Sequence, residues 1–322
     1  MSEIRIGISG WTYPPWRGVF YPEKWRQKDE LAYASRQVSS IEINGTFYSL
    51  QRPESYRKWF EETPDDFVFA VKGGRFITHI RRLKDIEQAV ANFLASGLLR
   101  LEKKLGPILW QLPPSLKFDP VRLETFFKLL PHTMKDAVAV AKTHNEIVED
   151  HDWTELDPEL EECPVRHALE VRHPSFQCEE FIELLRQYRV ALVVADTAGK
   201  WPFMEDITSD FVYVRLHGEE ELYASGYTEE SLANWAHKIE SWSKGKNPEG
   251  AKLFSSKAPK QKQGCDVYVY FDNDVKVRAP HDAMSLAHRL GLGDAPTPML
   301  RTERIEEMPR LQWKQPHQWA RT

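Results

Sequence analysis

Several short stretches of this chain end in residues able to bind a charged group or move a proton. The plainest is His167-Ala-Leu-Glu-Val-Arg-His-Pro-Ser175. Successive side chains of a strand point to opposite sides. Leu169 and Val171 therefore share one apolar face, while Ala168, Glu170 and Arg172 share the other. Applied to every such run, the same alternation puts Ser9, Glu42, Asn44, Lys72, Gln111, Glu170, Arg172, Arg215, His217 and Asp272 on polar faces near strand ends. Asp196 joins them by position. Burying so many polar groups without partners would cost several kcal/mol for each charged one. They must pair with one another or face a wet pocket.

Two chemistries suit such a ring. In one, Lys72, Arg172 and Arg215 bind an anionic or strongly polar substrate, the arginines by forked hydrogen bonds. Asn44, Gln111, Asp196 and Asp272 add polar contacts, and Glu170, His217 and Glu42 are acid/base candidates. In the other, Glu170, Asp196 and His217 coordinate a divalent metal, although the neighbouring cations oppose this and no HExxH motif occurs. The bland alternative is purely structural pairing of Glu170 with Arg172, Glu42 with Lys72 and Asp272 with Arg215. No other cofactor is indicated: Gly199-Lys200 lacks the upstream glycine of a phosphate-binding loop, and no GxGxxG follows the first strand.

Such residues converge only if the elements carrying them do. Strand signals at 4–9, 40–44, 67–72, 108–112, 167–172, 190–195, 211–216 and 267–272 alternate with helical spacing, such as Ile86, Val90, Phe93, Leu94 and Leu98. This pattern favours parallel βαβ units. Eight repeats without a break predict an α/β fold, a TIM (β/α)8 barrel over residues 1–294, with its site at the C-terminal ends of the strands. The acidic segment 132–164 reads as an insertion before the fifth strand, on the barrel's outside or rim. Residues 244–262 read as a second, mobile, lysine-rich insertion, and 295–322 as a C-terminal tail. Gly106 and Pro107 punctuate the end of a helix.

Aromatics follow several strands: Trp11, Tyr13, Trp16, Phe47, Tyr48, Phe76, Tyr223 and Tyr227. They could stack on a sugar or a flipped base, or pack as a cap over the rim. Arg75, His79, Arg81, Arg82 and Lys84 form one basic cluster; Lys244, Lys246, Lys252, Lys257, Lys260 and Lys262 form another, and both are expected near the C-terminal face. These clusters are the sequence support for nucleic acid as a partner. Bulk charge argues the other way, because the net charge is −5. No stretch approaches the roughly 18 uncharged residues of a membrane helix. No secretory signal opens the chain, and Cys163, Cys178 and Cys265 show no CxxC spacing. A cytoplasmic protein is expected, of undetermined oligomeric state.

Eight motifs together, Ile6-Gly-Ile-Ser-Gly-Trp11, Glu42-Ile-Asn44 with Thr46-Phe-Tyr48, Phe69-Ala-Val-Lys72, Gln111-Leu-Pro-Pro114, Glu170-Val-Arg-His-Pro174, Ala195-Asp196, Tyr213-Val-Arg-Leu-His-Gly218 and Tyr270-Phe-Asp-Asn-Asp274, resemble the YecE-like family. The resemblance spans residues 4 to 291 and implies a TIM barrel belonging to a domain of unknown function. Analogies of fold link that family to sugar isomerases and DNA-repair endonuclease barrels. The family's phenylalanine-asparagine-asparagine run corresponds to Phe271-Asp272-Asn273, which adds Asn273 to the binding candidates and a charge at Asp272. The chain departs also in a longer acidic segment before the fifth strand. The expected function is an acid/base enzyme acting on a small polar or anionic substrate, such as a sugar or sugar phosphate. A nucleic-acid-binding or repair protein and a non-catalytic interaction protein are the alternatives.

Overall fold

The structure, a computed structural model, describes residues 2–148, 157–219, 225–258, 264–273 and 277–293. The expected tail 295–322, Tyr223, Lys260, Lys262 and Asp274 lie outside the described residues. Eight strands, β1 (Ile4–Ser9), β2 (Ser40–Ile43), β3 (Val68–Lys72), β4 (Leu105–Gln111), β5 (His167–Glu170), β6 (Ala191–Asp196), β7 (Phe211–Leu216) and β8 (Asp266–Phe271), close in sequence order. All neighbours pair in parallel, and β8 returns to β1. This is the barrel the alternation predicts.

The outward strand face is apolar because helices cover it. Ile6, Ile8, Ile41, Ile43, Phe69, Val71, Leu169 and Val214 join one large core with helical residues such as Phe93, Phe126, Phe181 and Ile239. The inward face is filled in layers. Ala70, Leu109, Ala168, Val193, Tyr213 and Tyr270 plug the middle. Small residues opposite make room for the tyrosines. An alanine Cβ at Gly7 would lie 2.0 Å from the Ser40 carbonyl oxygen and 3.3 Å from the Tyr270 ring. Gly7→Ala should therefore destabilise by about 3 kcal/mol or more, the upper range for overpacking, since relief requires parting β1 from β2. Urea unfolding reads this directly, and a loss under 1 kcal/mol would refute the close approach.

Two sequence expectations need correction, and one takes definite form. Gly106 and Pro107 lie inside β4, at a register shift against β3 where Phe69 faces Leu105 and Val71 faces Ile108. An irregular ladder tolerates a residue with no N–H to donate. The segment 132–164 lies on the barrel's outside in its described part. Its apolar run Ala137–Ala141 belongs to a helix, Met134–Ala141, capped by the Thr133 hydroxyl and packed beside the helix Glu87–Ala95. The lysine-rich segment is pinned down in its described part. The Glu205 carboxylate accepts from the Lys252 N–H, and the Asp206 carboxylate accepts from the N–H groups of Phe254 and Ser255. No helix joins β6 to β7. Residues 203–207 take that place, and the segment 251–255 covers them.

Among the described residues, no helix is long and apolar enough to cross a membrane.

Candidate functional site at the barrel mouth

The last inward-facing side chains of the strands meet in one network. Arg215 stands at its centre, 1 % exposed. Its Nε and Nη2 donate to the two Glu42 oxygens at 3.0 and 2.8 Å. Nη1 donates to Glu170 at 2.9 Å, and Nη2 also reaches Asp272 at 2.8 Å. Glu42 accepts further from the Ser9 hydroxyl at 3.1 Å and the Tyr213 hydroxyl at 2.7 Å. Glu170 accepts from Gln111 Nε2 at 2.9 Å and from Arg172 Nε at 2.7 Å. His217 places Nδ1 3.0 Å from Asp272 and Nε2 3.3 Å from Arg215.

The electrostatics follow from this crowding. Burial pushes the Glu170 carboxyl up, but Arg172 and Arg215 overcome it and hold the group well below the usual carboxylate range. Asp272 is likewise raised by burial and lowered further by Arg215 and the His217 hydrogen bond. Burial, then Arg215, draws His217 below its ordinary value, so a neutral imidazole donating from Nδ1 fits best. A carboxylate saturated with charged donors is a poor proton donor and a weak base. Glu42, Glu170 and His217 are thus gathered as expected but sealed: each is 0 % exposed. The expected open cup is a closed network with a narrow rim.

That rim carries Lys72, Arg172 and Asp272, whose exposures are 9 %, 11 % and 15 %. The Lys72 carbonyl accepts from the Thr46 hydroxyl at 2.7 Å, which ties the short helix Gly45–Tyr48 to the end of β3 and sets Phe47 beneath the ammonium, Nζ lying 4.6 Å from the ring centroid. The Arg172 guanidinium stacks 3.7 Å from the Trp201 ring. A π-helical turn, Phe76–Ile80, brings His79 edge-on to Phe47 at 5.0 Å. Burial and then Lys72, Arg172 and Arg75 lower His79 to about 4. Trp201 and the particular role of His79 escaped sequence reasoning. Both follow strand ends, the one signal that could have flagged them.

Other expected members go elsewhere. Asp196 lies one residue beyond the inward Ala195 and accepts from the Tyr227 hydroxyl at 3.0 Å, which in turn accepts from the Gly218 N–H. Asn273 donates to Asp282 and to the Ser225 carbonyl. Both hold the segment after β7 in place, so the Glu170–Asp196–His217 trio is not assembled. Among the described residues, no group of three or more His, Cys, Asp and Glu is placed to hold a metal ion. Asn44 caps the helix Gly45–Tyr48, with its Oδ1 buried and unbonded. Trp11 packs edge-on against Trp59, and Trp16 is fully buried, as a packed cap would require. A cavity at the opposite end of the barrel is lined by Arg166, Arg186 and Arg189. Arg166 and Arg186 are paired there with acidic side chains.

Comparison with known proteins places this geometry. Residues 5–304 match the family model described as "Protein of unknown function DUF72". The chain belongs to the DUF72 family. The UPF0759 protein YecE of Escherichia coli K12 is 30% identical over 129 residues, which is 39% of this chain and 43% of that protein. The UPF0759 protein YunF of Bacillus subtilis is 30% identical over 116 residues, 34% of this chain and 40% of that protein. The matches thus span under half of these curated relatives. A DUF72 family crystal structure from Thermotoga maritima superimposes with a TM-score of 0.68 at 25% identity, covering 90% of this chain and 99% of that one. A DUF72 protein from Enterococcus faecalis shares the fold, with a TM-score of 0.65 at 16% identity over 91% of this chain and 98% of that one. DUF72 membership agrees with the YecE-like resemblance and with the barrel.

Proposed function

We propose that this DUF72 barrel is an enzyme that binds a small anionic substrate, bearing a carboxylate or phosphate, at the C-terminal mouth. One observation carries this reading: Lys72 and Arg172 both stand at the rim of the mouth, and the Lys72 ammonium has no hydrogen bond or ion pair among the described residues. The inner carboxylates cannot complete the rim cations, because Arg215 already engages them. An incoming anion would supply a partner to Lys72, add one to Arg172 beside Glu170, and raise the basicity of His79.

On this reading Glu42, Glu170 and Arg215 form the rigid floor, and Gln111 fixes Glu170. Proton transfer falls to Lys72 and His79 at the rim.

The test is thermal stabilisation by inorganic phosphate and small phosphorylated sugars. The wild type should melt higher as phosphate rises, and less so at high salt. Lys72→Met and Arg172→Gln should each weaken binding by about 10- to 100-fold, the worth of one charge-assisted hydrogen bond. Equal stabilisation of wild type and both variants would remove the anion site.

A further inference from the structure

We infer that Lys72 is an amine nucleophile, and that the substrate taken at this mouth carries an aldehyde or ketone whose carbonyl carbon Lys72 attacks. This deepens the anion-binding reading and rests on it for the location of the substrate.

The argument begins from a contrast within the chain. Lys104 is also buried, 1 % exposed, and its ammonium is fully used: it donates to the carbonyls of Phe60 at 2.6 Å and Thr63 at 2.9 Å, and to the Thr63 hydroxyl at 3.3 Å. That is how a structural buried lysine is accommodated. Lys72 has no such partners. Its nitrogen lies over Phe47, in reach of the field of Glu42, Glu170 and Asp272 but bonded to none of them. The carboxylates that would have held it are occupied by Arg215 and Arg172. Its backbone is nonetheless fixed, since β3 is paired on both sides and the Lys72 carbonyl is anchored by Thr46. A rigidly placed, unbonded amine at the end of a barrel strand is positioned to react.

Its basicity agrees. Burial, then Arg215, lowers Lys72 to about 8. At neutral pH this leaves on the order of a hundredfold more free amine than an ordinary lysine has. In the step itself, the Nζ lone pair forms a C–N bond as the carbonyl π pair moves to oxygen. That oxygen takes up the proton that nitrogen loses, through water at the rim. The proton that the ammonium shed to water on becoming the free amine returns to the carbinolamine hydroxyl, which leaves as a water molecule as the nitrogen lone pair forms the C=N bond of a protonated imine. The imine carries the same single positive charge as the ammonium it replaces, so the net charge at the rim is unchanged.

The experiment treats the full chain with glyceraldehyde 3-phosphate or with neutral glyceraldehyde, reduces with sodium borohydride, and maps the modified peptides. One adduct per chain should form at Lys72, about tenfold ahead of any other lysine, consistent with its larger free-amine fraction. Labelling should rise through pH 8 and vanish in Lys72→Arg, whose fold is checked by its melting curve. Labelling that is spread over surface lysines and passes Lys72 by, while phosphate still stabilises the wild type, overturns the nucleophile and leaves the anion site standing. Labelling of Lys72 by neutral glyceraldehyde without any phosphate stabilisation supports the nucleophile and overturns the anion reading instead. The pH profile of wild-type labelling needs no variant, and a profile rising only near pH 10 counts against the proposal.

Discussion

Arg215→Met should cost the fold at least about 3–5 kcal/mol at neutral pH, the loss expected when one partner of a buried ion pair is removed. Arg215 is ion-paired with Glu42, Glu170 and Asp272 at once. Without it, Glu42 keeps only the neutral hydroxyls of Ser9 and Tyr213 among its described bonds. Domains of ordinary stability hold only about 5–15 kcal/mol in total, so the variant should accumulate poorly or melt far below the wild type. Its pH response should flatten. In the wild type, Glu170 and Asp272 sit below their unfolded values. They therefore stabilise the fold above the ordinary carboxylate range and lose that contribution as pH falls through their lowered folded values. In the variant Asp272 loses its largest lowering charge while Glu170 keeps Arg172. Less stability is then lost between pH 7 and pH 4 than in the wild type. Urea unfolding at pH 4 and pH 7 checks both points. A variant within 1 kcal/mol of wild type at pH 7 would show that the network is not what holds the mouth together.

The same network shows what a sequence can and cannot disclose. Alternation alone assigns Leu169 and Val171 outward and Glu170 inward, because strand period and helix cover leave no other arrangement. It also brings Glu42, Lys72, Gln111, Glu170, Arg215 and Asp272 to one end. The pairing within that end is not legible. The pairs expected at Glu170–Arg172 and Asp272–Arg215 are present, at 2.7 and 2.8 Å. Glu42 binds Arg215 instead of Lys72, since the long guanidinium fork reaches two carboxylates at once and the ammonium cannot. That reassignment is what frees Lys72. Asp196 shows the limit of parity: one residue past Ala195, it turns from the barrel axis to Tyr227. The tyrosine plug of Tyr213 and Tyr270 was hidden for a different reason. The Tyr270 hydroxyl bonds Ser40 at 2.7 Å from 230 positions away, a contact that no local pattern encodes. His79 reaches the rim through a π-helical turn, whose spacing matches neither helix nor strand period.

Below pH 6 the fold should weaken steeply, and His167 should carry one full proton of that loss. His167 begins β5 on the outward face, 0 % exposed, and is stacked against Trp110. The Trp110 indole N–H donates to its Nδ1 at 3.1 Å, while Nε2 faces the Pro131 carbonyl at 2.7 Å. An imidazole that accepts at Nδ1 and donates at Nε2 is neutral, and protonation would set a new N–H against the indole donor. Burial lowers the folded group to about 3. The unfolded chain takes up a proton near the ordinary histidine value of about 6.5, and the folded one does not. Stability is therefore complete above that value and declines as pH falls towards 3, by about 1.4 kcal/mol per pH unit for this one group. His217 and His79, both lowered by burial first, act in the same direction. His167→Gln keeps an acceptor and a donor without a titratable site. It should be less stable than wild type at pH 7 but lose stability more slowly between pH 6 and 4, by about one proton in the linkage slope. Denaturation free energies measured across that window decide the matter, and an unchanged slope would place the acid sensitivity elsewhere.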